Sequence, residues 1–230
     1  GGWVTKYMTI YVTGNGTAAA EGTYFGGFIS GTASPIIFFL IFLVVTLAVV
    51  IGGVQNGIER VSKVLMPVLL LITIGISIYI CTLENAWEGI KYYLLPDFSN
   101  LSVGTVCAAM GQLFFSMSIA MGIMVSYGSY VKDDINMNKS VNYIEFFDTA
   151  VALLSGFMIV PIVYITSGSV ESSGPGLMFE TLPQVFVNMP FGSFVGALFF
   201  VLVFFAALTS SISIMEAIVS MIMDRFSINR

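Results

Sequence analysis

Five long, nearly unbroken apolar stretches dominate this chain, and each is long enough to cross a bilayer as an α-helix. A spanning helix needs about 20 mostly apolar residues. The stretches cover residues 35–54, 61–82, 103–130, 141–166 and 191–223, and residues 1–12 read as the tail of a further helix. Runs of this length fit helices rather than the roughly ten-residue alternating strands of a membrane barrel. Composition agrees: 57% of the 230 residues are hydrophobic and 9% are charged, against about 25% charged in soluble domains. Mean hydropathy is +0.95. The expectation is an all-α, polytopic transmembrane helical bundle, a single transmembrane domain with lipid as its solvent.

Composition also excludes function classes. Histidine is absent, which removes imidazole acid–base catalysis and most zinc sites. Cys81 and Cys107 form no paired motif and read as small apolar fillers. The few basic residues are scattered, so no nucleic-acid partner is expected. The chain opens on Gly1-Gly2-Trp3 without a charged leader, as if entering partway through a longer protein. A membrane-embedded enzyme would need a catalytic constellation that isolated acids do not supply, so no enzyme is expected.

Five spans place the connecting segments alternately on two sides. Residues 13–34, 83–102 and 167–189 share one side; 55–60, 131–140 and the tail from Asp224 share the other. Arg60, Lys63, Lys132, Lys139, Arg225 and Arg230 gather on the second side, with only Lys6 and Lys91 toward the first. The positive-inside rule puts the second side in the cytoplasm. Trp87, Tyr92 and Tyr93 suit a headgroup-level belt outside. The segment 167–189 combines turn chemistry at Ser172-Ser173-Gly174-Pro175-Gly176 with apolar residues around Pro183. It reads as a packed external cap containing a short helix, rather than a solvated loop.

Polarity enters the membrane at three places. The third span carries Gly111-Gln112-Leu113-Phe114-Phe115-Ser116-Met117-Ser118-Ile119-Ala120-Met121-Gly122 at its middle. Hydroxyls there compete for backbone groups, and a helix broken at this depth is tolerated only where it lines a protein cavity or binds an ion. A continuous helix with packing serines is the alternative. Asp148 lies inside the fourth span with no Lys or Arg near it in sequence. An ionised carboxylate there costs at least ~2.5 kcal/mol, so it calls for a cation, a proton or a polar neighbour. In the fifth span Ala206, Thr209 and Ser210 stand at i, i+3 and i+4 and share a face. A carbonyl and two hydroxyls there suit a hard cation, or simply close helix packing.

Taken together, these segments resemble the neurotransmitter:sodium symporter family with the leucine-transporter fold, over essentially the whole chain. The most specific pieces are Gly111-Gln112-Leu113-Phe114-Phe115-Ser116-Met117-Ser118, Phe205-Ala206-Ala207-Leu208-Thr209-Ser210-Ser211 and Asn56-Gly57-Ile58-Glu59-Arg60. Tyr127-Gly128-Ser129-Tyr130 and Leu154-Ser155-Gly156 support them. The resemblance implies part of an inverted-repeat fold with one broken helix, from the end of the third to the eighth transmembrane helix. The first helix, with half of the substrate site, would lie among the remaining helices of the full-length protein.

The resemblance further implies roles for particular residues. Phe115 matches the aromatic that closes over the substrate, and Ser118 the unwound stretch that meets its amino group. Met121, Ser211 and Ile214 match the side-chain pocket. Ser116 and Asp148 match ligands of one sodium, with Ser116 also beside the substrate. Ala206, Thr209 and Ser210 match a second sodium site, and Gln112 a polar residue near the outer gate. Two departures matter. Asp148 stands where many relatives have Asn, so its fixed carboxylate implies a bacterial type with no chloride requirement. Ala120 stands where glycine is common. The expected activity is sodium-coupled symport of neutral, hydrophobic or aromatic amino acids by alternating access, in the inner (plasma) membrane. An ion channel or other non-transporting membrane protein is the alternative.

Overall fold

The computed structural model describes residues 1–52, 54–129, 131, 136–167 and 175–227. Ten α-helices occur in this part: α1 (Gly2–Val12), α2 (Tyr24–Ser30), α3 (Ala33–Gly52), α4 (Val54–Cys81), α5 (Ala86–Leu94), α6 (Val103–Ser116), α7 (Ile123–Ser129), α8 (Met137–Ser167), α9 (Leu182–Asn188) and α10 (Gly192–Phe226). No strand occurs among the described residues. Ala33–Ile51, Met137–Ile165 and Gly192–Phe226 are each long and apolar enough to cross a membrane. Tyr130, Lys132 and most of the expected turn at 172–176 lie outside the described residues.

Several threonine and serine hydroxyls inside these helices satisfy themselves locally. Buried Thr46 donates to the Phe42 carbonyl at 2.9 Å, and Thr73 donates to Leu69 at 2.8 Å. Such back-bonding lets a hydroxyl sit in an apolar helix without an orphaned donor. Ser77 reaches both the Thr73 carbonyl at 2.8 Å and the Leu154 carbonyl at 3.4 Å, tying α4 to α8.

Three expectations change. The segment 55–60, expected as a loop, has helical backbone and belongs to α4; its polar residues extend the helix beyond the apolar run instead of ending it. Cys81 and Cys107 are exposed, not buried fillers, because Cys107 sits on α6, which contributes no buried residue, and Cys81 ends α4. The segment 83–102 contains α5, which meets α4 at a bend of 117°. Asn85, in the left-handed region with φ 65°, turns the chain into it. Its face of Ala86, Gly89 and Ile90 is buried against α8. A Cβ at Gly89 would lie 2.6 Å from the Pro161 Cα, so only glycine permits this approach.

Among the described residues after α8, the apolar ones pack into the bundle. A π-helical turn (Leu177–Thr181) leads into α9, and Phe179, Leu182, Val185 and Phe186 are buried. They join α1, α2 and α10 in one aromatic cluster. Phe25 stacks on Phe179 at 5.2 Å, Tyr11 stacks on Phe200 at 5.1 Å, and Tyr7 contacts Phe179 at 5.0 Å between centroids. Offset and edge contacts of this kind add to the area term. The Tyr79 hydroxyl donates to the Asn188 carbonyl at 3.1 Å, pinning the end of the cap to α4. The cluster fixes α10 against the rest of the bundle, and α10 carries one wall of the site.

Candidate functional site

The third apolar stretch is not one helix. α6 stops at Ser116 and α7 starts at Ile123. Between them Ser118, Ala120 and Gly122 adopt φ of 54°, 66° and 76°. Alternate residues in the left-handed region cannot propagate a right-handed helix, and for an L-residue other than glycine the conformation costs about 1–2 kcal/mol. The helical ladder ends with Met117 N–H to Leu113 and Ile119 N–H to Phe114, at 3.0 and 2.9 Å. It resumes with Ser126 N–H to the Gly122 carbonyl at 3.1 Å.

The break opens on α10. A cavity of about 480 Å³ lies between them. Of the residues singled out in the sequence, Phe115, Ser116, Ser118 and Met121 line it from the broken helix, and Thr209, Ser210 and Ile214 from α10. The site thus has an apolar part, formed by Met121, Ile214 and the Phe115 ring, and a hydroxyl-rich part. Ser211, Gln112, Asp148 and Ala206 do not line it, and Gln112 is exposed.

Asp148 and Ser116 meet although they lie on different helices. The Ser116 hydroxyl donates to the Asp148 carboxylate at 2.5 Å, a distance typical of hydrogen bonds to a charged acceptor. Asp148 is half-buried. On α10 the Ala206 carbonyl accepts from Thr209 Oγ1 at 2.9 Å and from Ser210 Oγ at 3.1 Å. Three oxygens therefore crowd one point of the helix. Rotating the two hydroxyl hydrogens away would turn all three oxygens toward a hard cation, which takes such ligands. No group of three His, Cys, Asp or Glu able to hold a metal ion exists among the described residues. Carbonyl, hydroxyl and carboxylate oxygens suit hard cations, whereas zinc favours nitrogen and sulfur ligands.

Two of the cavity residues given no role from the sequence carry hydroxyls. Tyr127 and Ser213 line it from α7 and α10, and their hydroxyls lie 2.5 Å apart. Ser213 follows Thr209 by one helical turn, so the face occupied by Thr209 was the available signal. The tyrosine, 86 residues earlier, carries no local mark of the pairing.

The model of the sodium:neurotransmitter symporter family matches residues 30–230. The chain belongs to that family. Among similar members, the sodium-dependent transporter YhdH of Bacillus subtilis is 37% identical over 225 residues, covering 96% of this chain and 50% of the relative. A sodium-dependent transporter of Haemophilus influenzae is 37% identical over 171 residues, 74% of this chain and 37% of the relative. The sodium- and chloride-dependent taurine transporter of Canis lupus familiaris is 33% identical over 153 residues, 63% of this chain and 25% of its own length. The crystal structure of MhsT in complex with L-phenylalanine superposes with a TM-score of 0.93 at 38% identity, covering 99% of this chain and 52% of MhsT. The fold is therefore that of the symporter family, and the chain is a multi-pass membrane segment spanning between a quarter and about half of these relatives' length.

Proposed function

We propose that the protein containing this chain is a sodium-coupled symporter of neutral amino acids with hydrophobic or aromatic side chains. The observation that carries the reading is the broken α6–α7 helix facing Thr209 and Ser210 across one cavity, with both hydroxyls bonded to the Ala206 carbonyl one turn away. A zwitterion needs partners for both charges. The break supplies backbone groups freed from the helical ladder, in the one setting where a membrane tolerates them. Ser118 sits in that break, and Met121, Ile214 and Phe115 receive an apolar side chain. One sodium is held by Ser116 and Asp148, a second by Ala206, Thr209 and Ser210.

Coupling follows from shared geometry. Ser116 belongs both to the cavity lining and to the Asp148 pair, so sodium there orders the end of α6 that the substrate meets. Such coupling is reciprocal: substrate tightens sodium by the factor that sodium tightens substrate. Each sodium charge moving inward across 100 mV supplies about 2.3 kcal/mol for accumulation. Asp148 provides a built-in negative charge beside the cation, which supports transport without chloride even though the taurine relative is chloride-dependent by name. The basic ends Lys139 and Arg225 face the cytoplasm of a plasma membrane.

Full-length protein in proteoliposomes provides the test. An inward sodium gradient drives concentrative uptake of labelled L-phenylalanine, and gluconate in place of chloride leaves that uptake intact. Uptake indifferent to sodium, or absence of exchange between labelled and unlabelled substrate, removes the symporter reading and favours a channel.

A further inference from the structure

We propose that Tyr127 is a positioning residue, clamping α7 to α10 through Ser213 so that the cation oxygens of α10 report on the inner half of the broken helix. The inference rests on the symporter reading for its sodium component, and its structural component stands alone. α7 has seven residues, too short to hold itself helical without tertiary support. It packs on α10, and Ile123 is its one buried residue. Tyr127 stands four residues on, on the same face, and reaches Ser213 at 2.5 Å.

The direction of this hydrogen bond follows from its neighbour. The Ser213 hydroxyl donates to the Thr209 carbonyl at 3.0 Å. Its proton is thereby committed, so Tyr127 donates and the Ser213 oxygen accepts. The Thr209 hydroxyl in turn donates to the Ala206 carbonyl at 2.9 Å. Tyr127, Ser213 and the Thr209 carbonyl form one hydrogen-bonded chain, and the Thr209 hydroxyl with the Ala206 carbonyl form a second bond that shares residue 209. The first starts on the inner half of the broken helix, and the second belongs to the oxygens assigned to a cation. The two meet on one turn of α10, so a shift of Thr209 alters both. A cation drawing on the Ala206 carbonyl and the Thr209 hydroxyl acts on the same turn of α10 that anchors Tyr127. Any tightening of one end is felt at the other, by reciprocity.

The experiment uses the full-length protein with Tyr127→Phe, Ser213→Ala, their combination, and Ser213→Thr, which keeps the hydroxyl. Two quantities are read: hydrogen exchange of the backbone amides of 123–129 without substrate, and the sodium concentration giving half-maximal binding of L-phenylalanine. Each single variant accelerates exchange in α7 and raises half-saturating sodium by about three- to tenfold, the range set by one net hydrogen bond. The combination does no more than either alone, because both remove the same bond. Ser213→Thr, which keeps the hydroxyl, leaves both values near those of wild type. Unaltered exchange in both single variants overturns the clamp. Accelerated exchange with unaltered sodium dependence, or multiplicative effects in the double variant, overturns the link to the cation oxygens. Wild-type protein that binds L-phenylalanine without sodium refutes the symporter reading and the sodium link together, while the exchange data still decide the clamp.

Discussion

Replacing Ala120 by glycine should stabilise the protein, whereas the same change at Ala108 should destabilise it. Ala120 holds φ at 66° in the break after α6. That conformation costs an alanine about 1–2 kcal/mol, and glycine adopts it freely. Against this gain stands the larger entropy of glycine in the unfolded chain, about 0.5–1 kcal/mol. The balance is a stabilisation of about 0.5–1 kcal/mol. Ala108 lies within α6 in ordinary helical backbone, where only the penalty applies, about 0.8–1 kcal/mol. Both residues are exposed, so neither change opens a packed core. Thermal inactivation of L-phenylalanine binding, measured on detergent-solubilised full-length variants, reads the two signs side by side. If Ala120→Gly lowers the midpoint as Ala108→Gly does, the left-handed backbone at residue 120 is wrong, and with it the shape of the break.

Two further changes probe other parts of the fold. A Cβ at residue 192 would lie 1.5 Å from the Phe186 carbonyl oxygen, so Gly192→Ala has to push the cap off the start of α10. It should cost about 1–3 kcal/mol by overpacking, seen as loss of folded protein in size-exclusion profiles; normal yield and stability would contradict the close approach. Asp148→Asn keeps an oxygen ligand but removes the fixed charge, so in uptake assays the variant should become weaker in gluconate than in chloride wherever space for an anion remains, while wild type is indifferent to the exchange. A chloride requirement in wild type would contradict the role given to the carboxylate.

The sequence carried the helices because membrane solvation leaves little choice. A charge-free run such as that within α3 has no other way to satisfy its backbone in lipid. The break was legible in kind, since hydroxyls and glycine cluster at 111–122, but not in geometry: nothing local says that Ala120 as well as Gly122 turns left-handed. α5 was hidden because its aromatic residues read as an interfacial belt. The spacing of Ala86, Gly89, Ile90 and Tyr93 was the amphipathic signal that a short helix leaves. Long-range partners were the least visible. Ser116 and Asp148 could be placed together only through family resemblance, and the Tyr127–Ser213 contact was not foreseen, because its geometry is set by how α7 leans on α10. The requirement for glycine at 192 is of the same kind, since the clashing carbonyl belongs to α9.

The central claim is that two sets of oxygens on α6, α8 and α10 hold sodium and couple it to substrate. Its most direct test is a sodium titration of labelled L-phenylalanine binding to the full-length protein, comparing wild type with Asp148→Asn and with Thr209→Val combined with Ser210→Ala. Hydrogen bonds to a charged group contribute about 1.5–3 kcal/mol, and solvent screening at half-buried Asp148 points to the low end. Each variant should therefore need about tenfold more sodium for half-maximal binding, while substrate affinity at saturating sodium changes far less. Binding that does not depend on sodium in wild type, or sodium curves that coincide for all three proteins, would contradict the account.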